Sequence, residues 1–313
     1  MANSKASQKF NSAINVFTLG TGEKAIKLGG ENVLPFYTFD APIENAPKVG
    51  VEFSDLGMAN NVAGIADFYA GADTPAAMAQ KAASMEGADF IAFSLDAADP
   101  NGENRSVEDC VAECKAVAEA TDMPLVIIGC KRLEKNAALF EKIADALVGK
   151  NVLFLSAKEE NYKTVAASAG LAYNQKIGAE SAVDINLAKQ LNVVISQMGV
   201  KEDSIAMNVG TAAAGYGFEY VVSTMERVKM AALDQNDNML KMPIITPIAS
   251  ETWNVKESIV SEEDIPEWGP VEERGIDMEI VTASAALASG SNAVILRHPT
   301  SVSVIAKMIN ELM

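Results

Sequence analysis

One histidine, three cysteines and a recurring set of Asp, Asn and Gly residues bound the chemistry open to this chain. His298 is the sole imidazole, so a zinc site built from two or three histidines lacks its ligands. No G-x-S-x-G segment is present to supply the nucleophile of a Ser-His-Asp arrangement. For His298 itself, a mouth side chain held by a backbone carbonyl is the favoured reading over general acid/base work. Cys110, Cys114 and Cys130 are too few for a private iron–sulfur cluster, which takes about four thiolates. Their number fits a reducing compartment, and Cys110 and Cys114, four apart on one predicted helix, read as small buried apolar side chains.

The remaining candidates follow apolar runs. They are Asp96 and Asp99, Gly129-Cys130, Ser156, Asp184 with Asn186, the run Asn208-Val209-Gly210-Thr211-Ala212-Ala213-Ala214-Gly215-Tyr216-Gly217, Thr246-Pro247, and Arg297-His298-Pro299. The Gly210–Gly217 stretch would let backbone approach a large planar ligand, and it would equally serve as plain turn chemistry. It lacks the Lys-Ser or Lys-Thr of a phosphate-gripping loop, and no G-x-G-x-x-G opens a helix after a strand. Asp96, Asp99, Asp184 and Asn186 can bond a ligand or cap the following helix. For Asp184 the cap has the stronger case, because a long helix begins directly after it. Trp253 and Trp268 flank a long insertion suited to a lid or docking surface.

Something must carry these groups, and the apolar runs show what. Val49–Phe53, Phe90–Leu95, Leu125–Gly129, Val152–Ser156, Lys176–Ala179, Ser204–Val209, Pro243–Ile248 and Ala293–Arg297 are spaced to leave one helix between each pair. Segments such as FIAFSL, LVIIG and AVIL are continuously apolar, as parallel strands covered on both faces are. Helices are predicted after Thr74-Pro75 and Ser106, and over Lys135–Val148, Glu159–Ala172, Ile185–Met198, Glu219–Leu233, Met278–Ala288 and Ser301–Leu312. Eight such units predict a (β/α)8 TIM barrel over residues 49–313, with functional groups at the C-terminal ends of its strands. Residues 1–48 are expected to form an N-terminal extension packing on the barrel. Its TLGTGEKAIKLGG segment reads as a β-hairpin over the lower mouth.

With 25 Lys and Arg against 42 Asp and Glu, the formal charge of −17 disfavours nucleic acid and anionic membranes as partners. No apolar run approaches the roughly 18 residues of a membrane span, and the start lacks a signal-peptide core, so a cytoplasmic protein is expected.

Several segments together resemble one family. They include Leu34-Pro35-Phe36, Gly87-Ala88-Asp89, Ala98-Asp99-Pro100, Ser106-Val107-Glu108-Asp109-Cys110, Glu160-Asn161-Tyr162-Lys163, Asp184-Ile185-Asn186, Gly215-Tyr216-Gly217-Phe218-Glu219-Tyr220, Trp268-Gly269 and Arg297-His298-Pro299. In this order the chain resembles the small subunit of the corrinoid iron–sulfur protein, the delta subunit of the acetyl-CoA decarbonylase/synthase complex, over nearly its whole length. The resemblance implies a methyl carrier, catalytically incomplete alone. The barrel mouth would cover a cobalt corrinoid at the interface with a large subunit, which would also hold a [4Fe–4S] cluster. That heterodimer would take a methyl group from a methyltetrahydrofolate:corrinoid methyltransferase and deliver it to acetyl-CoA synthase/CO dehydrogenase in the acetyl-CoA (Wood–Ljungdahl) pathway of an anaerobe. Cofactor contacts are expected from Asp184, Asn186, Asn208, Gly210, Thr211, Gly215, Tyr216 and Gly217. No catalytic residue and no metal ligand is expected, since His298 has no D-x-H-x-x-G setting. Where the family often carries an acidic residue followed by proline, this chain has Asn208-Val209, so a negative charge at that position is lost. The alternative is a stand-alone pterin-dependent methyltransferase barrel, with Asp96 or Asp184 and Asn208 gripping the ring.

Overall fold

The computed structural model describes residues 7–58 and 62–313. A short antiparallel hairpin comes first, β1 (Phe17–Leu19) with β2 (Ile26–Leu28). Among the described residues eight parallel strands follow: β3 (Lys48–Ser54), β4 (Phe90–Ser94), β5 (Leu125–Ile128), β6 (Leu153–Ala157), β7 (Lys176–Glu180), β8 (Ile205–Asn208), β9 (Ile245–Pro247) and β10 (Ala293–Leu296). The ladder runs in chain order from β3 to β8, and β10 pairs β3 on one side and β9 on the other. Closure between β8 and β9 is a single bridge, Met207 with Ile244, supported by Met207 N donating to the Pro243 carbonyl at 2.8 Å. Pro243 and Pro247 have no N–H to give, which keeps this seam short. The expected (β/α)8 barrel and its N-terminal hairpin are thus present, each strand within a residue or two of its sequence-read bounds.

Alternation along each strand divides the core in two. Val49, Val51 and Phe53 of β3 and Ile91 and Phe93 of β4 turn outward into one large cluster with the helices. Phe90, Ala92, Val126, Leu153, Leu155, Ala206, Ile245, Ala293 and Ile295 form the inner cluster, and the hairpin inserts Phe17, Leu19, Ile26 and Leu28 among them. Each of these hairpin side chains contributes roughly 1.5–3 kcal/mol by burial. The lower half of the barrel is therefore plugged.

The helices are α1 (Ala63–Tyr69), α2 (Pro75–Ala83), α3 (Val107–Ala120), α4 (Leu133–Ala146), α5 (Tyr162–Val165), α6 (Ile185–Gln197), α7 (Phe218–Leu233), α8 (Ala249–Thr252), α9 (Lys256–Ile259), α10 (Val271–Ser289) and α11 (Pro299–Leu312). Thr74 and Ser106 cap α2 and α3 as their positions predict, accepting from Ala77 N and Asp109 N. The helix expected over Glu159–Ala172 is shorter: α5 gives way to a π-helical stretch, Ala166–Ala172. Helix α10 starts seven residues before the expected Met278, because its first turns are charged and carry little of the apolar signal on which that reading rested. Buried Lys229 of α7 donates to Glu31 Oε1 at 2.7 Å and to Asn292 Oδ1 at 2.9 Å, tying the extension to the barrel floor. Gly290 sits above it with φ +124°, and a Cβ there would come within 2.6 Å of Lys229 Cγ.

Candidate functional site

Above the plug, the inward-facing positions change from apolar to polar. Glu52 and Ser54 of β3, Ser94 of β4, Ser156 of β6, Glu180 of β7, Asn208 of β8 and Arg297 beyond β10 all face one cavity of about 1140 Å³ at the C-terminal mouth, completed by Ile128 of β5 and Pro247 of β9. Small serines on three strands leave the space open. This exceeds the roughly 300–1,000 Å³ of a drug-sized ligand pocket.

The charged groups are held in pairs. Arg297 Nη2 donates to Glu52 Oε1 at 2.5 Å, while Glu52 Oε2 is buried without a hydrogen-bond partner among the described residues. Lys158 Nζ meets Glu180 Oε1 at 2.7 Å, and the Ser54 hydroxyl donates to Asp96 Oδ2 at 2.7 Å. Behind this rim Asp55 accepts from Ala97 N at 2.8 Å, with Arg105 at 3.8 Å. Burial outweighs both favourable contacts and pushes the Asp55 carboxyl up to about 6. Glu279, fully buried under β10, accepts from the backbone N–H groups of Arg297 and His298 at 2.7 and 3.2 Å and so fixes the turn that aims Arg297. Its burial raises its carboxyl above the ordinary range.

Of the residues expected at the site, the structure brings Asn208, Gly210 and Thr211 together in the cavity wall. Asp184 and Asn186 lie elsewhere. Both are exposed, and Asp184 Oδ1 accepts from Asn186 N at 2.7 Å and Leu187 N at 3.1 Å as the N-cap of α6. Gly215, Tyr216 and Gly217 sit outside the lining as well. Gly217, φ +85°, precedes the first turn of α7, and the half-exposed Tyr216 hydroxyl donates to Glu257 Oε2 at 2.6 Å.

A family model described as CO dehydrogenase/acetyl-CoA synthase delta subunit matches residues 16–301. The chain belongs to this delta-subunit family. A delta subunit of the acetyl-CoA decarbonylase/synthase complex from Archaeoglobus fulgidus is 32% identical over 299 residues, covering 94% of this chain and 65% of that protein. The Methanothermobacter thermautotrophicus delta subunit is 31% identical over 293 residues, 93% of this chain and 73% of its own length. The chain thus spans roughly two thirds to three quarters of these relatives. Its fold is that of dihydropteroate synthases: the Vibrio fischeri enzyme superposes with a TM-score of 0.58 at 12% identity, covering 94% of this chain and 97% of that one. The Xanthomonas albilineans enzyme with 4-aminobenzoic acid gives 0.55 at 12% identity over the same shares. At such identity the likeness concerns the barrel alone.

In this delta-family chain His298 is buried and outside the cavity lining. Its Nδ1 accepts from Thr300 N at 3.1 Å, so the proton of the neutral ring sits on Nε2 and faces Glu272 Oε1 at 3.0 Å. A backbone amide and a carboxylate hold it, where a carbonyl was expected. Its ring stacks on Trp253, 5.8 Å between centroids. Trp253 is accordingly buried, while Trp268 is partly exposed between Lys256 and Arg274. Cys130 lines the mouth with its thiol directed at Asn136 Oδ1, 3.2 Å away, and burial raises its titration. Among the described residues no three His, Cys, Asp or Glu side chains are grouped to hold a metal ion, and no helix is long and apolar enough to cross a membrane.

Glu52 lies inside its strand, so reading strand ends alone misses it, whereas Glu180 directly follows the strand read over Lys176–Ala179 and is open to that reading. A charged residue at an inward position of an otherwise apolar strand was the available signal.

Proposed function

We propose that this chain forms one wall of a corrinoid site in a heterodimeric methyl carrier, with a large cluster-bearing subunit supplying the other contacts. The observation that carries this reading is a mouth lined by seven of the strands and by Arg297 just beyond β10, wide enough for a macrocycle, in a chain of the delta-subunit family. The residues suit such a group. A corrin ring is rimmed by carboxamide arms that donate and accept hydrogen bonds, and the mouth offers Ser94, Ser156, Asn208 and the Oε2 of Glu180 with no partner in the described chain. Gly210, φ +87°, keeps the wall low, since a Cβ there would press on Val183 at 3.1–3.2 Å.

When bound, cobalt would supply methyl acceptance and release. The chain's own residues orient and shield. Asn208, Gly210 and Thr211 would hold the ring from one wall, and the Arg297–Glu52 pair keeps a fixed charge arrangement at the floor. With His298 engaged at both nitrogens, this chain offers no imidazole to cobalt. The heterodimer would carry methyl groups from a methyltetrahydrofolate:corrinoid methyltransferase to acetyl-CoA synthase.

Coexpression with the large subunit, followed by cobalt analysis and visible spectroscopy, tests this reading. One corrinoid per heterodimer, lost when this chain is omitted, is expected; full cobalt content on the large subunit alone contradicts it. The stand-alone pterin methyltransferase requires the isolated chain to bind methyltetrahydrofolate, which calorimetry decides.

A further inference from the structure

Asn208 has a fixed orientation. The Gly210 backbone N–H donates to its side chain at 3.0 Å, so the atom facing Gly210 must be Oδ1 and the amide nitrogen points away from it. The residue is buried and lines the cavity, yet its Nδ2 donates to nothing among the described residues. Glu180 is its registered partner on the adjacent parallel strand, about 4.8 Å away across the ladder. It also lines the cavity; Lys158 Nζ lies nearest its Oε1, at 2.7 Å, and its Oε2 accepts no hydrogen bond among the described residues. An N–H donor and a carboxylate acceptor therefore stand side by side on one wall.

We propose that Asn208 and Glu180 together form a reader for a primary carboxamide edge, Asn208 Nδ2 donating to the ligand carbonyl while Glu180 Oε2 accepts from the ligand NH2. This rests on the corrinoid reading and names the part of that ligand the chain recognises: a peripheral carboxamide arm. The pair also sets a selectivity. A 2-amino-4-oxopyrimidine edge presents two adjacent N–H donors and needs two acceptors side by side, as a carboxylate at position 208 would provide. With its Oδ1 turned to the Gly210 N–H, Asn208 presents Nδ2 to such an edge and meets it donor to donor, which is repulsive. The amide at 208 thus turns the mouth from one ligand class toward another.

The test is a titration of the chain, followed by the side-chain amide resonances in a nitrogen–proton correlation spectrum, with three probes: dicyanocobinamide, the dicyano heptamethyl ester of cobyrinic acid, and methyltetrahydrofolate. The ester shares the ring and lacks every carboxamide N–H. The expected result is that cobinamide shifts the Asn208 Nδ2 signals, that the ester binds about tenfold more weakly, and that Glu180→Ala removes this difference. Asn208→Asp should weaken cobinamide binding by a similar factor and raise that of methyltetrahydrofolate. Equal affinity for amide and ester overturns the carboxamide reader while leaving the corrinoid reading standing. No cobinamide binding up to millimolar concentration by a chain whose spectrum shows it folded also overturns the reader; the corrinoid reading is then decided by cobalt content in the heterodimer. A wild-type preference for methyltetrahydrofolate overturns both.

Discussion

Arg297 and Glu52 meet at 2.5 Å where β10 and β3 run side by side, and their ion pair closes the floor of the mouth just above the hydrophobic plug. The Glu52 side chain is 4% exposed and the arginine 21%, so the pair lies between the fully buried and the surface case.

Removing one member should cost more than the pair contributes. Glu52→Ala leaves the guanidinium without its carboxylate and should lower unfolding stability by about 2–3 kcal/mol, below the roughly 3–5 kcal/mol of a fully buried pair. Glu52→Leu combined with Arg297→Met should recover most of the loss. Urea unfolding of the three variants checks this, and a double variant as unstable as Glu52→Ala would show that the guanidinium is not the source of the loss.

Asp55 gives the fold a distinct pH signature. Burial pushes its folded carboxyl up to about 6, from 3.8 for a free aspartate, so between these values the folded state holds the proton more tightly. Its contribution to stability therefore rises as pH falls from about 7 toward 4, by roughly 2–3 kcal/mol. Asp55→Asn keeps the acceptor for Ala97 N and removes the buried charge. It should match or exceed the native stability at pH 7.5, with the difference vanishing near pH 4; denaturation midpoints across that range report it. A variant less stable at pH 7.5 would mean that the 3.8 Å approach of Arg105 outweighs burial.

At the other end of the barrel, Lys229 is 3% exposed and its partner Glu31 8%. Lys229→Met should destabilise the fold by about 3–5 kcal/mol, because Glu31 is left charged in the interior. Adding Glu31→Leu should restore much of it. Because Glu31 belongs to the N-terminal extension, the extension and barrel should unfold in one transition in native and double variant alike. Separate fluorescence and circular dichroism transitions would contradict the linkage.

Much of the fold was legible because parallel strands covered on both faces are written as unbroken apolar runs, and Phe90–Leu95 or Ala293–Arg297 could be little else. Part of the site was hidden by the same physics. At the top of a barrel the inward face of a strand meets the ligand, so Glu52 sits within its strand and not after it. Asp184 follows a strand, and the resemblance makes it a cofactor contact, but an Asp before a long helix satisfies that helix's free N–H groups first, the role its position already favours. Tyr216 belongs to the right loop, yet its hydroxyl is drawn to Glu257 on the outer rim, a contact across 41 residues that no local pattern encodes.

The most direct test of the central claim, that this mouth is a wall of the corrinoid site, is the cobalt content of the heterodimer carrying Thr211→Trp, with folding verified by circular dichroism. Thr211 lines the cavity beside Gly210, and an indole there would fill the space assigned to the ring. The expected result is cobalt well below one per heterodimer with both subunits still associated. An undiminished single cobalt with an unchanged visible spectrum would contradict it.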